Sequence, residues 1–145
     1  MPRRPTDFDP AAALRRHDLS IRVRYVECDP MGVVHHSVYP VWFEMGRTEM
    51  LRACGGSYRS LEEAGAFLVV ADLSIKFQAP ARYDDELTLA TYLLEGSRAR
   101  IRHGYELRRA DEAAILARAT TTIACVTSEG TLQAIPAAVL ATLDG

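Results

Sequence analysis

The spacing of hydrophobic positions changes several times along the chain, and each change marks an element. Leu19, Ile21, Val23 and Tyr25 alternate with Ser20, Arg22, Arg24 and Val26, a period of two that predicts a half-buried strand. The turn Asp29-Pro30-Met31-Gly32 interrupts it. From Val38 to Leu51 the pattern is helical, and apolar side chains cover most of the circumference. Val38, Val41, Trp42 and Met45 lie on one side, with Tyr39, Phe43, Gly46 and Met50 on another. Glu44, Arg47 and Arg52 are the main polar exceptions. A helix apolar nearly all round is a buried helix. Ser37 is the predicted N-cap, Pro40 is tolerated in the first turn, and Cys54-Gly55-Gly56 ends the helix.

Ser60-Leu61-Glu62-Glu63 has capping-box spacing and predicts a short helix stopped by Gly65. The clearest strand runs from Phe67 to Phe77, ended by Ala79-Pro80-Ala81. A strand carrying Leu87, Leu89, Thr91 and Leu93 follows, then an alternating segment from Arg98 to Arg108, then a β-branched strand from Ile115 to Val126. Ile135 to Leu140 predicts a terminal helix with Pro136 near its start. The order is strand, long buried helix, then four strands read as a meander. This is an α+β chain in which a five-stranded antiparallel sheet must curl around one long central helix, because only the sheet's apolar face can bury it. One sheet covers one side of such a helix, so a second copy is expected on the other, as a homodimer or a homotetramer built of dimers.

Composition narrows the classes. The 145 residues suit one domain, assigned to 18–145, preceded by an arm of 1–17 whose Pro, Arg and Asp content predicts mobility. With 17 basic and 19 acidic residues the net charge is -2, without the basic stripe of a nucleic-acid binder. Cys28, Cys54 and Cys125 lack ligand-pair spacing and read as reduced thiols of a cytoplasmic protein. No apolar run approaches the ~20 residues of a membrane span, and no h-region follows the basic N-terminus.

The candidate chemistry sits where the turn meets the helix. A helix start presents unpaired N–H groups and about half a positive elementary charge. An ionised Asp29 beside it is able to attack a carbonyl or to deprotonate a water that does. Asp before Pro30 also suits a plain turn opener. His36 admits a structural reading as readily as a chemical one, and Tyr25 either bonds the site or only packs. His35, His36 and Asp29 look like metal ligands. Adjacent residues at a helix start point apart, however, so no metal and no other cofactor is expected.

The motif Arg22-Val23, Tyr25, Cys28-Asp29, Gly32, Val34, His36, Tyr39, Trp42-Phe43-Glu44, Gly46-Arg47 and Glu49, with Ile75-Lys76-Phe77 and Pro80 to Leu87 downstream, resembles the hot-dog-fold acyl-CoA thioesterases of the 4-hydroxybenzoyl-CoA thioesterase type. Within them it resembles the branch associated with the bacterial Tol–Pal system. The likeness runs from about Leu19 to Pro136. His35 stands where an aromatic residue is common, Met31 where a small one is, and Gly46 where alanine is.

The resemblance implies a hot-dog fold and hydrolysis of an acyl-CoA to free acid and coenzyme A. It implies that Asp29 is nucleophile or general base, that the His36 amide is an oxyanion donor, and that Tyr25 and His36 belong to the catalytic group. Gly32, Val33, His35 and Tyr39 are the expected substrate-binding positions. Arg82 is the first choice for the CoA phosphates, ahead of Lys76, Arg98, Arg100 and Arg102. Two alternatives stand beside this: an enoyl-CoA hydratase or dehydratase using His36 and Asp29, and an acyl-CoA-binding subunit without catalysis.

Overall fold

A computed structural model describes residues 4–144. Strand β1 (Arg15–Arg22) is followed by the long helix α1 (Tyr39–Ala53) and a short helix α2 (Tyr58–Glu63). Then come β2 (Phe67–Phe77), β3 (Glu86–Gly96), β4 (Ile101–Arg109), β5 (Ile115–Val126), the two-residue β6 (Leu132–Gln133) and helix α3 (Ala137–Asp144). All pairings are antiparallel and the strand order is β1-β3-β4-β5-β2, with β6 added on β5.

The predicted sheet around a central helix is present, but the meander is shorter than expected. Only β3, β4 and β5 follow one another as neighbours, while β2 lies across the sheet beside β5. Alternation of side chains fixes that a segment is a strand and leaves its partner open, since partner choice is a tertiary matter.

Helix α1 packs into the concave face. Trp42, Phe43 and Met50 are at most 1% exposed, and Phe43 stacks on Tyr105 with ring centroids 4.6 Å apart. Gly46 sets the distance between helix and sheet: a Cβ there would lie 2.3 Å from Thr91 Oγ1 and 3.0 Å from Leu89 Cδ2. The helix therefore settles closer than any side chain at that position allows without movement of its neighbours.

The arm expected up to His17 departs from its reading over the described residues 4–17; residues 1–3, and 145 at the far end, lie outside them. Pro10–Ala12 form a 3-10 turn capped by Asp9, and β1 begins at Arg15, pairing with Leu93. Phe8 lies over Gly104, with its ring 5.4 Å from Tyr92 and the Arg118 guanidinium 5.0 Å above it. Thr6 is buried. One aromatic side chain of this Pro- and Asp-rich segment thus fills a slot on the sheet. This contact also explains why β3 is buried on both faces, Ala90 and Tyr92 included.

A polar cluster is enclosed under α1. Arg47 donates to Tyr105 Oη at 3.0 Å, and Tyr105 Oη bonds Thr121 Oγ1 at 2.7 Å. His103 beside them is 5% exposed and its Nδ1 has no partner among the described residues. Burial, then the nearby Arg47 charge, pushes its imidazole down to about 3 from an ordinary 6.5. On the other face of β4, burial opposes the charge of Glu106, but bonds from Arg118 and Tyr92 hold that carboxyl below its ordinary value.

His103 makes the fold acid-sensitive with a defined sign. Below pH 6.5 the unfolded chain binds a proton that the folded chain refuses until about pH 3, so stability falls as pH falls across that window, by about 1.4 kcal/mol per pH unit at the steepest. Urea melts of the wild type and of His103→Gln between pH 7 and pH 4.5 are expected to show a slope shallower by close to one proton in the variant.

Candidate functional site

The segment between β1 and α1 is built as a small hairpin. β1 stops at Arg22, and Tyr25–Glu27 form a 3-10 turn. Strand pairing resumes briefly at the Cys28–Val34 bridge. The Asp29 N–H donates to the Val33 carbonyl at 2.9 Å, and the Gly32 N–H to the Asp29 carbonyl at 2.9 Å. Gly32 takes φ +78°, and a Cβ there would meet nothing within 4 Å. Glycine is needed at this tip for its left-handed backbone; within one chain, crowding places no demand on it.

Asp29 is half-buried. Its Oδ1 accepts from the N–H groups of Met31 at 2.9 Å and Val33 at 3.3 Å, an Asx-type turn. The turn-opening role is thus real, and it occupies one oxygen. Oδ2 makes no hydrogen bond among the described residues. The carboxylate is oriented through one oxygen and free at the other.

The hairpin's return leg runs into the helix. The Val34 N–H donates to Ala81 O at 2.8 Å, and Val33 bridges Arg82. This brings Arg82 beside the hairpin, with its exposed side chain making no hydrogen bond among the described residues. His35, two residues before the expected N-cap Ser37, caps the 3-10 turn that precedes α1, and α1 itself follows Val38 without a side-chain cap. The His35 Nδ1 accepts from the Ser37 N–H at 3.2 Å and contacts Ser37 Oγ at 2.7 Å. A 3-10 turn at His36–Val38 leads into α1 at Tyr39. The His36 N–H has no acceptor among the described residues, as expected for the first amide of a helical run.

A cleft of about 310 Å³ opens at this helix head, lined by Val34, His36, Tyr39 and Phe77 to Pro80. Tyr39 is 2% exposed and meets Phe77 edge-on at 4.9 Å, so it forms the wall. Burial raises its phenol above the ordinary value. The His35 and His36 rings lie 4.2 Å apart, both exposed.

Asp29, Gly32, Val33 and His35 therefore share one hairpin, which Arg82 borders and which His36 follows; His36 and Tyr39 line the cleft, and Asp29 does not. Tyr25 is not brought in. It is 79% exposed, off the strand on which it was expected, and stacks edge-on with Tyr83 at 5.5 Å. The alternation that placed it in β1 ends three residues earlier because the chain turns at Arg24.

One residue of the site had no sequence signal of its own. Glu27 is 6% exposed; its carboxylate accepts from Arg24 N at 2.8 Å and Trp42 Nε1 at 3.1 Å, and its carbonyl from His35 N at 2.9 Å. The hint was Trp42 itself, a buried indole that must find an acceptor.

Sheet, helix and hairpin together define the hot-dog class of thioester-processing folds. The family model described as the thioesterase-like superfamily matches residues 23–143, and this chain belongs to that superfamily. It is 36% identical over 107 residues to the acyl-CoA thioesterase YbgC of Haemophilus influenzae, spanning 73% of this chain and 77% of that one. Among solved structures it is similar to the DHNA-CoA thioesterase of Staphylococcus aureus, with a TM-score of 0.76, 28% identity, and coverage of 83% and 79%. A 4-hydroxybenzoyl-CoA thioesterase in complex with 4-hydroxybenzoyl-CoA shares the fold at a TM-score of 0.79 and 23% identity, covering 89% of this chain and 99% of that one.

The backbone at the hairpin tip is directly testable. Gly32→Ala is expected to cost about 1–2 kcal/mol through its left-handed φ, with Gly32→Asn costing less, since Asn tolerates that region. Equilibrium denaturation of the two variants against wild type reads the difference.

Proposed function

We propose that this protein is an acyl-CoA thioesterase, hydrolysing the thioester of an acyl-CoA to a free acid and coenzyme A. The observation that supports the mechanism is a carboxylate with a free Oδ2 at Asp29 on the hairpin, followed, where that hairpin enters the helix, by an unpaired N–H at His36 on the cleft wall. A thioester carbonyl seated with its oxygen toward the His36 amide develops negative charge there on attack. Removing one such donor costs about 2.7–4 kcal/mol in enzymes where it has been measured.

Asp29 acts in one of two ways. As a base, Oδ2 takes a proton from a water whose oxygen bonds to the carbonyl carbon; the C–S bond then breaks and the CoA thiolate leaves. As a nucleophile, Oδ2 bonds to that carbon itself, the C–S bond breaks with loss of the CoA thiolate, and water then cleaves the resulting anhydride to free acid and the Asp29 carboxylate. His36, exposed at the cleft, is placed to hold the water. Val33 and His35 flank the acyl entry, and Arg82 reaches for the CoA phosphates.

The functional unit is a homodimer, or a pair of such dimers, in the cytoplasm. Strand β2 is a sheet edge, and Val70, Leu73 and Phe77 on its inner face are 47%, 39% and 48% exposed. Val41 and Met45 on α1 are also uncovered. Apolar side chains bordering an unpaired edge call for a partner, and a two-fold copy is the simplest. No helix of the described residues is long and apolar enough to cross a membrane.

Asp29→Asn, assayed for thiol release over short, long and aromatic acyl-CoAs, is expected to lower kcat by about 10²–10⁴-fold. A kcat within a few-fold of wild type would remove Asp29 from the chemistry. Hydration of crotonyl-CoA without thiol release would replace hydrolysis by hydratase chemistry. Separately, Leu73→Glu is expected to convert a dimer into a monomer in light scattering coupled to size exclusion, by placing a charge in the apolar contact.

A further inference from the structure

Glu27 spends a carboxylate where an apolar side chain would have been easier to bury. The charge is taken from water at a position 6% exposed, and such burial is tolerated only when the oxygens are bonded. They are: Oε1 accepts from the Arg24 N–H at 2.8 Å, and Oε2 from Trp42 Nε1 at 3.1 Å and Arg24 Nη2 at 3.3 Å. The backbone carbonyl of the same residue accepts from the His35 N–H at 2.9 Å. Glu27 thus touches the turn after β1, the core face of α1, and the return leg of the hairpin.

The two halves of the proposed site belong to different bodies. Asp29 is fixed relative to the hairpin, because its Oδ1 is tied to Met31 and Val33 within it. The unpaired amide is fixed relative to α1, because His36 begins the helical run. The return leg is also bonded to the sheet at Ala81. At its far end the hairpin is tied to the helical run through His35, which bonds Ser37 and Val38; between residues 27–34 and α1, however, the Glu27–Trp42 bond is the one hydrogen bond among the described residues.

We propose that Glu27 is a positioning residue for the thioesterase reaction: clamped to Trp42, it sets the distance from the Asp29 carboxylate to the amide at the helix head. This rests on Asp29 carrying the chemistry. Loss of the clamp leaves the substrate's binding contacts in place and lets the attacking oxygen drift from the carbonyl. The defect falls on kcat. A misplacement near 1 Å is enough for about 10²-fold.

The test uses the full-length protein with Glu27→Gln and Trp42→Phe, singly and together, beside Asp29→Asn. Gln keeps the shape and offers only one acceptor oxygen to donors on two sides; Phe keeps the ring and removes the donor. Glu27→Ala is added as the larger loss. The expected result is folded Gln and Phe variants with kcat down about 10- to 100-fold, KM within about three-fold, and faster hydrogen exchange at the amides of Val33, Val34 and His35. The double variant is expected to be no worse than the poorer single, because both break one bond. Glu27→Gln should retain more activity than Glu27→Ala. If folded Glu27→Gln and Trp42→Phe keep wild-type kcat, lose only in KM, or add fully when combined, while Asp29→Asn is inactive, the positioning role is wrong and the thioesterase reading stands. If Asp29→Asn keeps wild-type kcat, the reading on which Glu27 depends fails first.

Discussion

The close seating of α1 on the concave sheet is the constraint from which the rest follows. Gly46 lets the helix approach Thr91 and Leu89 to a distance no larger residue permits without rearrangement, and Trp42, Phe43 and Met50 then fill the interior. With the helix axis fixed, the position of its first turn is fixed too. The chain arriving from β1 must reach that turn in sixteen residues, and the compact solution is a hairpin folded on the helix head. The hairpin that carries the Asp29 carboxylate thus runs directly into the turn that carries the unpaired His36 amide.

Polar groups in this protein fall into two settings with different tasks. Under α1, Arg47, Tyr105, Thr121 and a neutral His103 form an enclosed cluster. Its cost is offset by the surrounding apolar contacts, and it makes the fold sensitive to acid. At the helix head the polar groups are half-exposed and incompletely bonded: one oxygen of Asp29, one amide at His36, one guanidinium at Arg82. Unsatisfied groups at an open cleft are available to a ligand, whereas those in the core are not.

Much of this was legible in the sequence, and the parts that were not share a cause. The strand from Phe67 to Phe77 and the helix from Val38 announced themselves by period, since each side chain's environment repeats along one element. The turn at Asp29–Gly32 was visible in Pro and Gly chemistry. What escaped was decided between elements distant in sequence. Strand β2 crosses to the far edge, beside β5. Phe8 packs on Tyr92, a contact that composition does not announce. Tyr25 leaves the strand because Arg24 starts a turn closed by Glu27. Ser37 is no cap because a 3-10 turn, capped by the His35 ring nitrogen on the Ser37 amide, comes before α1. Glu27 carries no signal of its own along the chain, because its partner lies fifteen residues away on another element.

In the proposed reaction one carboxylate oxygen and one helix-head amide converge on the same carbonyl. A crystal structure with an acyl-CoA analogue in which a methylene replaces the thioester sulfur and the carbonyl is kept would measure this directly. The predicted result places the carbonyl oxygen within hydrogen-bond reach of the His36 amide, with Asp29 Oδ2, or a water bonded to it, facing the carbonyl carbon. An analogue bound with its carbonyl away from the helix head, and Asp29 turned to solvent, would contradict it.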